Sequence, residues 1–312
     1  MYIDVCKSFG LKETNSSATN TAALNAAIVS ARVTGLTLWI RPGVYQCDNI
    51  SYIPDVKIEG AFWEKTVIQS TQAVPLFNYQ FNNQFLYCGG LHNITLDGNN
   101  IGTVGVEAGY QAFFKYSNVH FTGFTQWGFQ GAGVIEGTFE QCFFRGNVGG
   151  ISCSKGNSSI GIMQSNMVAF RDCNFSYNTG VSVDWAGAAS IIFDRTTFEF
   201  NGTSGYTGNI VQNANMSPLG EGVDFIFNGC WLENNTCGKV LNVVGNTQMY
   251  ATLLVVNYPT IAELYNNGIL KLDGCCVNGT IVTDSGTTYN NNSKVVAHTE
   301  ANNGAYKVAQ YT

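Results

Sequence analysis

The chain has 312 residues, of which 12% are charged, and its 15 basic and 21 acidic residues give a net charge of −6. It contains no run of five basic residues, so the electrostatic footprint of a nucleic-acid-binding protein is missing. It also contains no stretch of about 18 apolar residues and no secretory signal in its first 30 residues, so we expect neither membrane insertion nor a signal for export.

The N-terminal segment predicts a helix. Four alanines between residues 22 and 27 are strong helix formers, and Thr19 or Asn20 can serve as the N-terminal cap. Short apolar and aromatic runs broken by Gly and Asn follow, and they are typical of strands rather than of helices. We therefore expect a short helix before a long all-β region.

A six-residue pattern recurs eight times along the all-β region. Each copy has an apolar or aromatic first residue, two turn-like residues, a small apolar residue or Cys, a free position and an apolar anchor. The anchors are Ile58, Leu96, Phe121, Phe144, Phe175, Phe198, Leu232 and Val277. Three of the seven spacings between them are 25, 23 and 23 residues, so one coil of a solenoid takes about 24 residues. The longer spacings predict inserted loops or an unrecognised extra coil, and the seven anchors from Leu96 to Val277 should form one buried row.

Two further positions of the repeat predict internal order. An Asn stands three residues after the anchor in five copies: Asn99, Asn147, Asn178, Asn201 and Asn235. Asn adopts the left-handed backbone conformation at modest cost and stacked amides can bond along the axis, so this row predicts a repeated turn. The ten cysteines lack the spacing of zinc sites or of small disulfide scaffolds, so we expect free buried thiols. Cys142 with Cys173, and Cys230 with Cys275, should stack in the interior.

The residue after each anchor should point outward, because side chains alternate across a strand. This outward row contains Glu59, Asp97, Thr122, Arg145, Ser176, Glu199, Glu233 and Asn278. Glu199 and Glu233 follow one another, and a strand spacing of about 4.8 Å brings their carboxylates within the ~5 to 9.5 Å that glycosidases use. We predict them as a catalytic pair, with two ordinary solvated residues as the alternative. Arg145 in the same row could hold an anionic sugar through paired hydrogen bonds.

Two aromatic residues and a second polar row also face outward in this frame. Phe143 and Trp231 precede their anchors, and their rings would stack on sugar rings or lie in a subunit interface. A row one residue into the copies is typical of a surface ion-pair ladder, and it contains Glu140, Arg171, Asp194, Asn228 and Asp273. The three histidines are too scattered for a metal site and no phosphate-binding loop occurs, so neither a metal nor a cofactor is expected.

The first 45 residues carry a distinctive order, from Val5 through Ser8-Phe9-Gly10 and the alanine-rich segment to Arg41-Pro42-Gly43-Val44-Tyr45. This order resembles the start of the pectate-lyase-like β-helix proteins, a group that includes bacteriophage tailspike depolymerases and is related to the polygalacturonases. The resemblance implies an all-β, right-handed parallel β-helix with a short N-terminal capping helix. Residues 12–18 replace the family's usual Asp-rich turn, and the signatures of polygalacturonases and pectate lyases are absent, so a plant-type pectinase is not expected.

The resemblance also implies a domain organisation and a function. Residues 1–282 would form one β-helix domain, with residues 1–45 as its cap and first coil and residues 283–312 as a polar C-terminal tail or cap. The chain would be a phage tailspike-like receptor-binding spike, a homotrimer that engages, and could depolymerise, a host cell-surface polysaccharide. It would lie in the virion beside other virion proteins, and its free cysteines fit assembly in a reducing host cytoplasm. The alternatives are a non-enzymatic structural spike or adhesin, and a secreted, extracellular bacterial polysaccharide lyase or glycoside hydrolase.

Overall fold

The computed structural model of the chain describes residues 1–79, 85–153, 165–185, 189–212, 223–243, 248–252, 254–257, 263–266, 269–283, 287–291, 293–300 and 305–308. These residues form two helices and 32 strands. Across the same residues, no helix combines the length and the apolar character that crossing a bilayer requires.

The two helices precede the strand repeats and pack against the first coil. Helix α1 spans Val5–Phe9 and helix α2 spans Ser17–Thr34. Ser16 caps α2, because its Oγ accepts the Thr19 backbone N–H at 3.3 Å. The predicted cap at Thr19 or Asn20 is therefore wrong, since Thr19 lies in the first turn and Asn20 is buried.

The strands pair in three parallel ladders, here called the first, second and third faces. The first face contains Tyr2–Asp4, Thr37–Ile40, Lys57–Gly60, the starts of Gly90–Asp97 and Lys115–Thr122, Thr138–Glu140, Val168–Arg171, Ala189–Asp194, Val223–Asn228, Gln248–Thr252, Ile269–Asp273, Thr287–Asn291 and Ala305–Val308. The second face contains Gly43–Gln46, Thr66–Gln69, the ends of Gly90–Asp97 and Lys115–Thr122, Phe143–Arg145, Asn174–Ser176, Thr197–Glu199, Trp231–Glu233, Val255–Asn257 and the starts of Cys276–Thr283 and Lys294–Glu300.

The third face completes each coil. It contains Ile50–Tyr52, Phe77–Tyr79, Leu86–Tyr87, Val104–Ala112, Trp127–Ile135, Gly149–Ser152, Val183–Asp184, Asn209–Gln212, Lys239–Val243, Glu263–Asn266 and the ends of Cys276–Thr283 and Lys294–Glu300. Parallel strands joined by crossovers wind almost always to the right. The chain is therefore an all-β, right-handed parallel β-helix, as predicted.

Seven of the eight predicted anchors form one interior row on the second face. All seven are fully buried: Leu96, Phe121, Phe144, Phe175, Phe198, Leu232 and Val277. Their four aromatic rings stack at centroid distances of 4.7, 4.6 and 4.9 Å, with interplanar angles of 2° to 7°. A parallel stack lines the first face, where successive centroids of Tyr116, Phe139, Phe170, Phe193 and Phe227 lie 4.9 to 5.0 Å apart. The prediction of one interior row is confirmed for these anchors.

The first copy of the repeat is out of register. Ile58 pairs with Leu91 on the first face, whereas Ile68 pairs with Leu96 and occupies the anchor position. Glu59 therefore pairs with His92 and does not belong to the outward row of Glu199. The reason is the loop at residues 61–65, which separates the two strands of this coil, whereas in later copies only a short corner does so.

The longest spacing between anchors contains an extra coil, which was one of the two explanations that the sequence allowed for long spacings. Val256 lies in register between Leu232 and Val277. Beyond residue 282, strands Thr287–Asn291, Lys294–Glu300 and Ala305–Val308 pair with the preceding coil. The expected boundary at residue 282 therefore does not interrupt strand pairing.

All ten cysteines are free, as predicted, but Cys88 and Cys276 are exposed, so the prediction of buried thiols is wrong for these two. Cys142 and Cys173 lie on successive coils, whereas Leu254 occupies the coil between Cys230 and Cys275 and interrupts the predicted stack of that pair. Each of these four buried thiols donates to a backbone carbonyl of a preceding coil: Cys142 to Tyr116, Cys173 to Phe139, Cys230 to Phe193 and Cys275 to Ala251, at 3.2 to 3.5 Å. Thr196 stands at the equivalent position, and its hydroxyl makes the same bond to Phe170. Burial raises the pKa of Cys230 to about 11, so the thiol stays protonated and keeps its donor role.

The asparagine row forms a buried ladder in four of its five predicted members. In each, Nδ2 donates at 2.9 Å to the anchor carbonyl of the preceding coil, as the amides of Asn147, Asn178, Asn201 and Asn235 do. The fifth, Asn99, is exposed at a corner. The prediction that these four Asn residues adopt the left-handed conformation is wrong. The residue that precedes each ladder Asn adopts it instead. Only an inward-pointing amide reaches the anchor carbonyl, so the preceding residue makes the bend.

Candidate functional site

The outward row on the second face brings the predicted carboxylates together. Arg145, Ser176, Glu199 and Glu233 are Cα partners on successive coils, so neighbouring Cα atoms lie about 4.8 Å apart. Oε1 of Glu199 accepts a hydrogen bond from Asn174 Nδ2 at 3.1 Å, which fixes one end of this carboxylate. The structure therefore places Glu199 directly beside Glu233, with Arg145 two coils before Glu199.

The two predicted aromatic residues differ in their surroundings. Trp231 is 43% exposed and lies two residues before Glu233 on the same strand. Phe143 is only partly exposed, because the indole of Trp63 stacks on it at a centroid distance of 5.7 Å and an angle of 25°. Trp63 belongs to the loop that breaks the repeat, so the frame gave no indication of this contact.

His120 shares this environment and should make stability depend on pH. Burial, followed by the charge of Arg145, lowers the pKa of His120 to about 4. An unfolded chain protonates histidine near pH 6.5, so between pH 6.5 and 4 the unfolded state binds more protons and stability falls as the pH falls. We expect the thermal midpoint to drop between pH 7 and pH 4.5, and about half of that drop to disappear in His120→Phe. The rest should belong to His92, whose pKa burial also lowers to about 4. An identical pH profile of the variant would contradict this.

An exposed aromatic pair at the corner after the second face was not predicted. Tyr177 and Phe200 follow Ser176 and Glu199, are 48% and 41% exposed, and stack at 5.1 Å and 13°. The guanidinium carbon of Arg145 lies 4.8 Å from the centroid of the Tyr177 ring. Tyr177, Phe200 and Arg145 are called the aromatic ledge below. Phe200 directly follows Glu199 in the chain, and Glu233 is the Cα partner of Glu199 on the next coil, so the ledge lies beside the two carboxylates.

The backbone of the ledge is strained. Tyr177 and Phe200 have φ of 55° and 53°, a left-handed conformation that costs bulky residues on the order of 1–3 kcal/mol. Their N–H groups donate to the carbonyls of Glu199 and Glu233, each at 3.3 Å, so pairing with the next coil holds the strained backbone in place. Gly146 and Asn234, which adopt this conformation more readily, occupy the same corner position on flanking coils.

A cleft of about 520 Å³ opens on the third face. Trp127 and Tyr206 contribute its largest side chains, and none of the described residues that line it is a carboxylate. The indole of Trp127 packs against Gly149, where a Cβ would come within 2.3 Å of it. The Tyr206 hydroxyl donates to the Asn209 carbonyl at 3.1 Å, so both rings are held in place. The cleft can hold a ring-shaped ligand, and its described lining offers no carboxylate for acid or base chemistry.

On the first face, residues of the predicted polar row bond to side chains on adjacent strands or to the next residue in the chain. Glu140 pairs with Lys115 at 2.5 Å, and Asp194 accepts hydrogen bonds from Arg195 at 2.9 Å and from Asn228 at 3.1 Å. Surface pairs of this kind contribute about 0–1 kcal/mol each, so the row is structural. Within the described residues, His, Cys, Asp and Glu side chains form no cluster of three that could hold a metal ion.

The sequence matches no protein-family model and no curated protein. Solved structures do match it. The tailspike gp42 of Acinetobacter phage vb_AbaP_AS12 aligns with a TM-score of 0.76 and 10% identity, over 99% of this chain and 62% of that chain. ORF18 of Geobacillus virus E2 aligns with a TM-score of 0.61 and 15% identity, over 98% of this chain and 59% of that chain.

A bacterial enzyme module shares the same architecture. The A-module of the mannuronan C-5 epimerase AlgE6 from Azotobacter vinelandii aligns with a TM-score of 0.61 and 16% identity, over the full length of both chains. The present chain spans about three fifths of the length of the two viral proteins. At these identities the likeness establishes the fold, and it confirms the predicted resemblance to β-helix proteins of the pectate-lyase and tailspike kind.

Proposed function

We propose that this chain is a tailspike-like receptor-binding protein whose outer wall binds a host cell-surface polysaccharide. One observation carries the proposal: a band of polar and exposed aromatic side chains runs along the second face and its corner. The band contains Arg145, Tyr177, Glu199, Phe200, Trp231 and Glu233. Aromatic faces stack on sugar rings, while charged groups bind their substituents. A band that crosses several coils suits a long chain molecule better than a small ligand.

The two carboxylates give this band its candidate chemistry. In glycosidases, one carboxylic acid protonates the leaving oxygen, while the second carboxylate acts as nucleophile or activates water. Glu199 and Glu233 are adjacent in register, which fits the spacing of such a pair. We propose them as the catalytic groups of a polysaccharide depolymerase. Arg145, Trp231 and Phe143 would be its substrate-binding residues.

A spike that binds without cleaving is the second candidate. The cleft of about 520 Å³ lies on the third face, and none of its described lining residues is a carboxylate. Glu199 and Glu233 lie instead on the outer surface of the second face. Catalytic sites generally enclose the bond that they cleave, so this separation favours binding alone.

We further propose that the chain works as a homotrimer in the virion, in contact with other virion proteins. Exposed apolar side chains away from the second face favour a partner that covers them, among them Tyr87, Phe113 and Met167. The structural similarity to the Acinetobacter phage tailspike supports the location in the virion.

Binding to purified capsular polysaccharides and lipopolysaccharides tests the proposal. We expect at least one to bind, and Trp231→Ala to weaken that binding by about tenfold, because an aromatic contact contributes about 0.5–1.5 kcal/mol. Arg171→Ala, an exposed change on the first face, is the matched control and should leave affinity unchanged. Light scattering should give a trimer at micromolar concentration. A monomer would contradict the assembly, and failure to bind any polysaccharide would overturn the function.

A further inference from the structure

The corner that follows the second face repeats one backbone conformation with different side chains. The residue two positions after the anchor is left-handed in five successive coils, with φ of 70° at both Gly123 and Gly146, 55° at Tyr177, 53° at Phe200 and 51° at Asn234. Gly and Asn adopt this conformation readily, whereas an aromatic residue does so only against steric resistance. Two of the five coils therefore carry a residue that the local fold disfavours.

Packing within the chain does not account for the two aromatic residues. Tyr177 and Phe200 are 48% and 41% exposed, and their main ring contact is with each other. Strained residues persist where the surrounding structure holds them, and they cluster at ligand-binding positions. Phe200 covers one face of the Tyr177 ring and Arg145 covers the other. The face of Phe200 that points away from Tyr177 is therefore the aromatic surface that the apolar face of a pyranose ring can contact.

Arg145 adds a positive charge at one end of this surface. Its guanidinium lies over the Tyr177 ring at 4.8 Å, and within the described part of the chain it makes no ion pair. A guanidinium that rests on an aromatic ring keeps its N–H edge available for paired bonds to a carboxylate. The nearest carboxylates along the row, Asp97 and Glu199, are each two coils away, and they accept hydrogen bonds from Gln69 and Asn174 instead.

We propose that the aromatic ledge is a subsite for an acidic polysaccharide, in which one pyranose ring stacks on the open face of Phe200 and a carboxylate elsewhere on the same chain binds Arg145, which Tyr177 holds in place. The inference rests on the proposed function and specifies its substrate class. The order along the coils is Arg145, Tyr177, Phe200 and then Glu233. A polysaccharide bound along this line places an acidic group at Arg145 and a later sugar ring between Phe200 and Glu233.

Glycine substitutions separate a binding role from a structural one. Tyr177→Gly and Phe200→Gly should each weaken binding of an acidic polysaccharide by at least about tenfold, because Phe200 supplies the stacking ring and Tyr177 holds the guanidinium of Arg145. Their thermal midpoints should stay equal to that of the wild type or rise, since glycine relieves the left-handed strain. Phe113→Gly is the matched control: Phe113 is left-handed at φ 53°, 54% exposed and stacked on Tyr87 at another corner. It should change the midpoint in the same direction and leave affinity unchanged.

The probes are acidic capsular polysaccharides, with hyaluronan and alginate among them, each tested beside its carboxyl-reduced neutral derivative. The wild type should lose affinity at least about tenfold on carboxyl reduction, and Arg145→Gln should lose it for the acidic form alone. Equal binding of both forms would overturn the acidic specificity. Full affinity in both glycine variants would overturn the subsite while leaving the proposed function standing. Absence of binding to every polysaccharide by the wild type would instead refute the proposed function itself.

Discussion

Replacing Phe175 with alanine should lower the free energy of unfolding by about 3–5 kcal/mol, the range for large buried aromatics. Phe175 is fully buried between Phe144 and Phe198, at centroid distances of 4.6 and 4.9 Å, and its edge meets Phe170 at 5.8 Å. Strand pairing to the coils on both sides fixes the backbone on either side of the cavity. The neighbouring rings therefore cannot collapse into the space that the side chain leaves.

Urea unfolding followed by circular dichroism measures this loss. Phe200→Ala is the matched control, because it removes the same ring from an exposed corner and should cost less than about 1 kcal/mol. A loss below about 1 kcal/mol for Phe175→Ala would contradict the interior stack. Equal losses in both variants would do the same.

The sequence was sufficient for the interior because the interior is what the repeat encodes. An anchor needs only an apolar side chain at a fixed distance from a corner, and that requirement is visible at Phe144 and Phe175 without any long-range information. The same logic explains the missed coil. At residues 251–256 an alanine replaces the aromatic first residue, and apolar residues fill most of the positions that follow. Residue type then no longer distinguishes interior positions from corner positions, so the six-residue pattern cannot be recognised in this coil.

The site was harder to predict because it depends on conformation and on contacts between unrelated positions. Phe143 faces outward as the alternation requires, but Trp63 covers it from a loop that no period relates to it. The left-handed corner position was assigned to each ladder Asn instead of the residue before it, so Tyr177 and Phe200 were not recognised as corner residues. In the correct frame these two residues interrupt a column of Gly and Asn, and that interruption is a signal in the sequence itself.

Changing Glu199 or Glu233 to glutamine should lower polysaccharide cleavage by at least ~10², which is typical of a general acid or base. The isosteric change removes the titratable group but keeps a carbonyl oxygen, so Asn174 can still donate to residue 199 and thermal stability should be nearly intact. Glu140→Gln, on the first face, is the matched control and should cleave at the wild-type rate. Residues that act as a unit are not additive, so the double variant should be little slower than the slower single variant. Undiminished cleavage by the double variant would remove the pair from consideration, and so would carboxyl groups found more than about 10 Å apart with substrate bound.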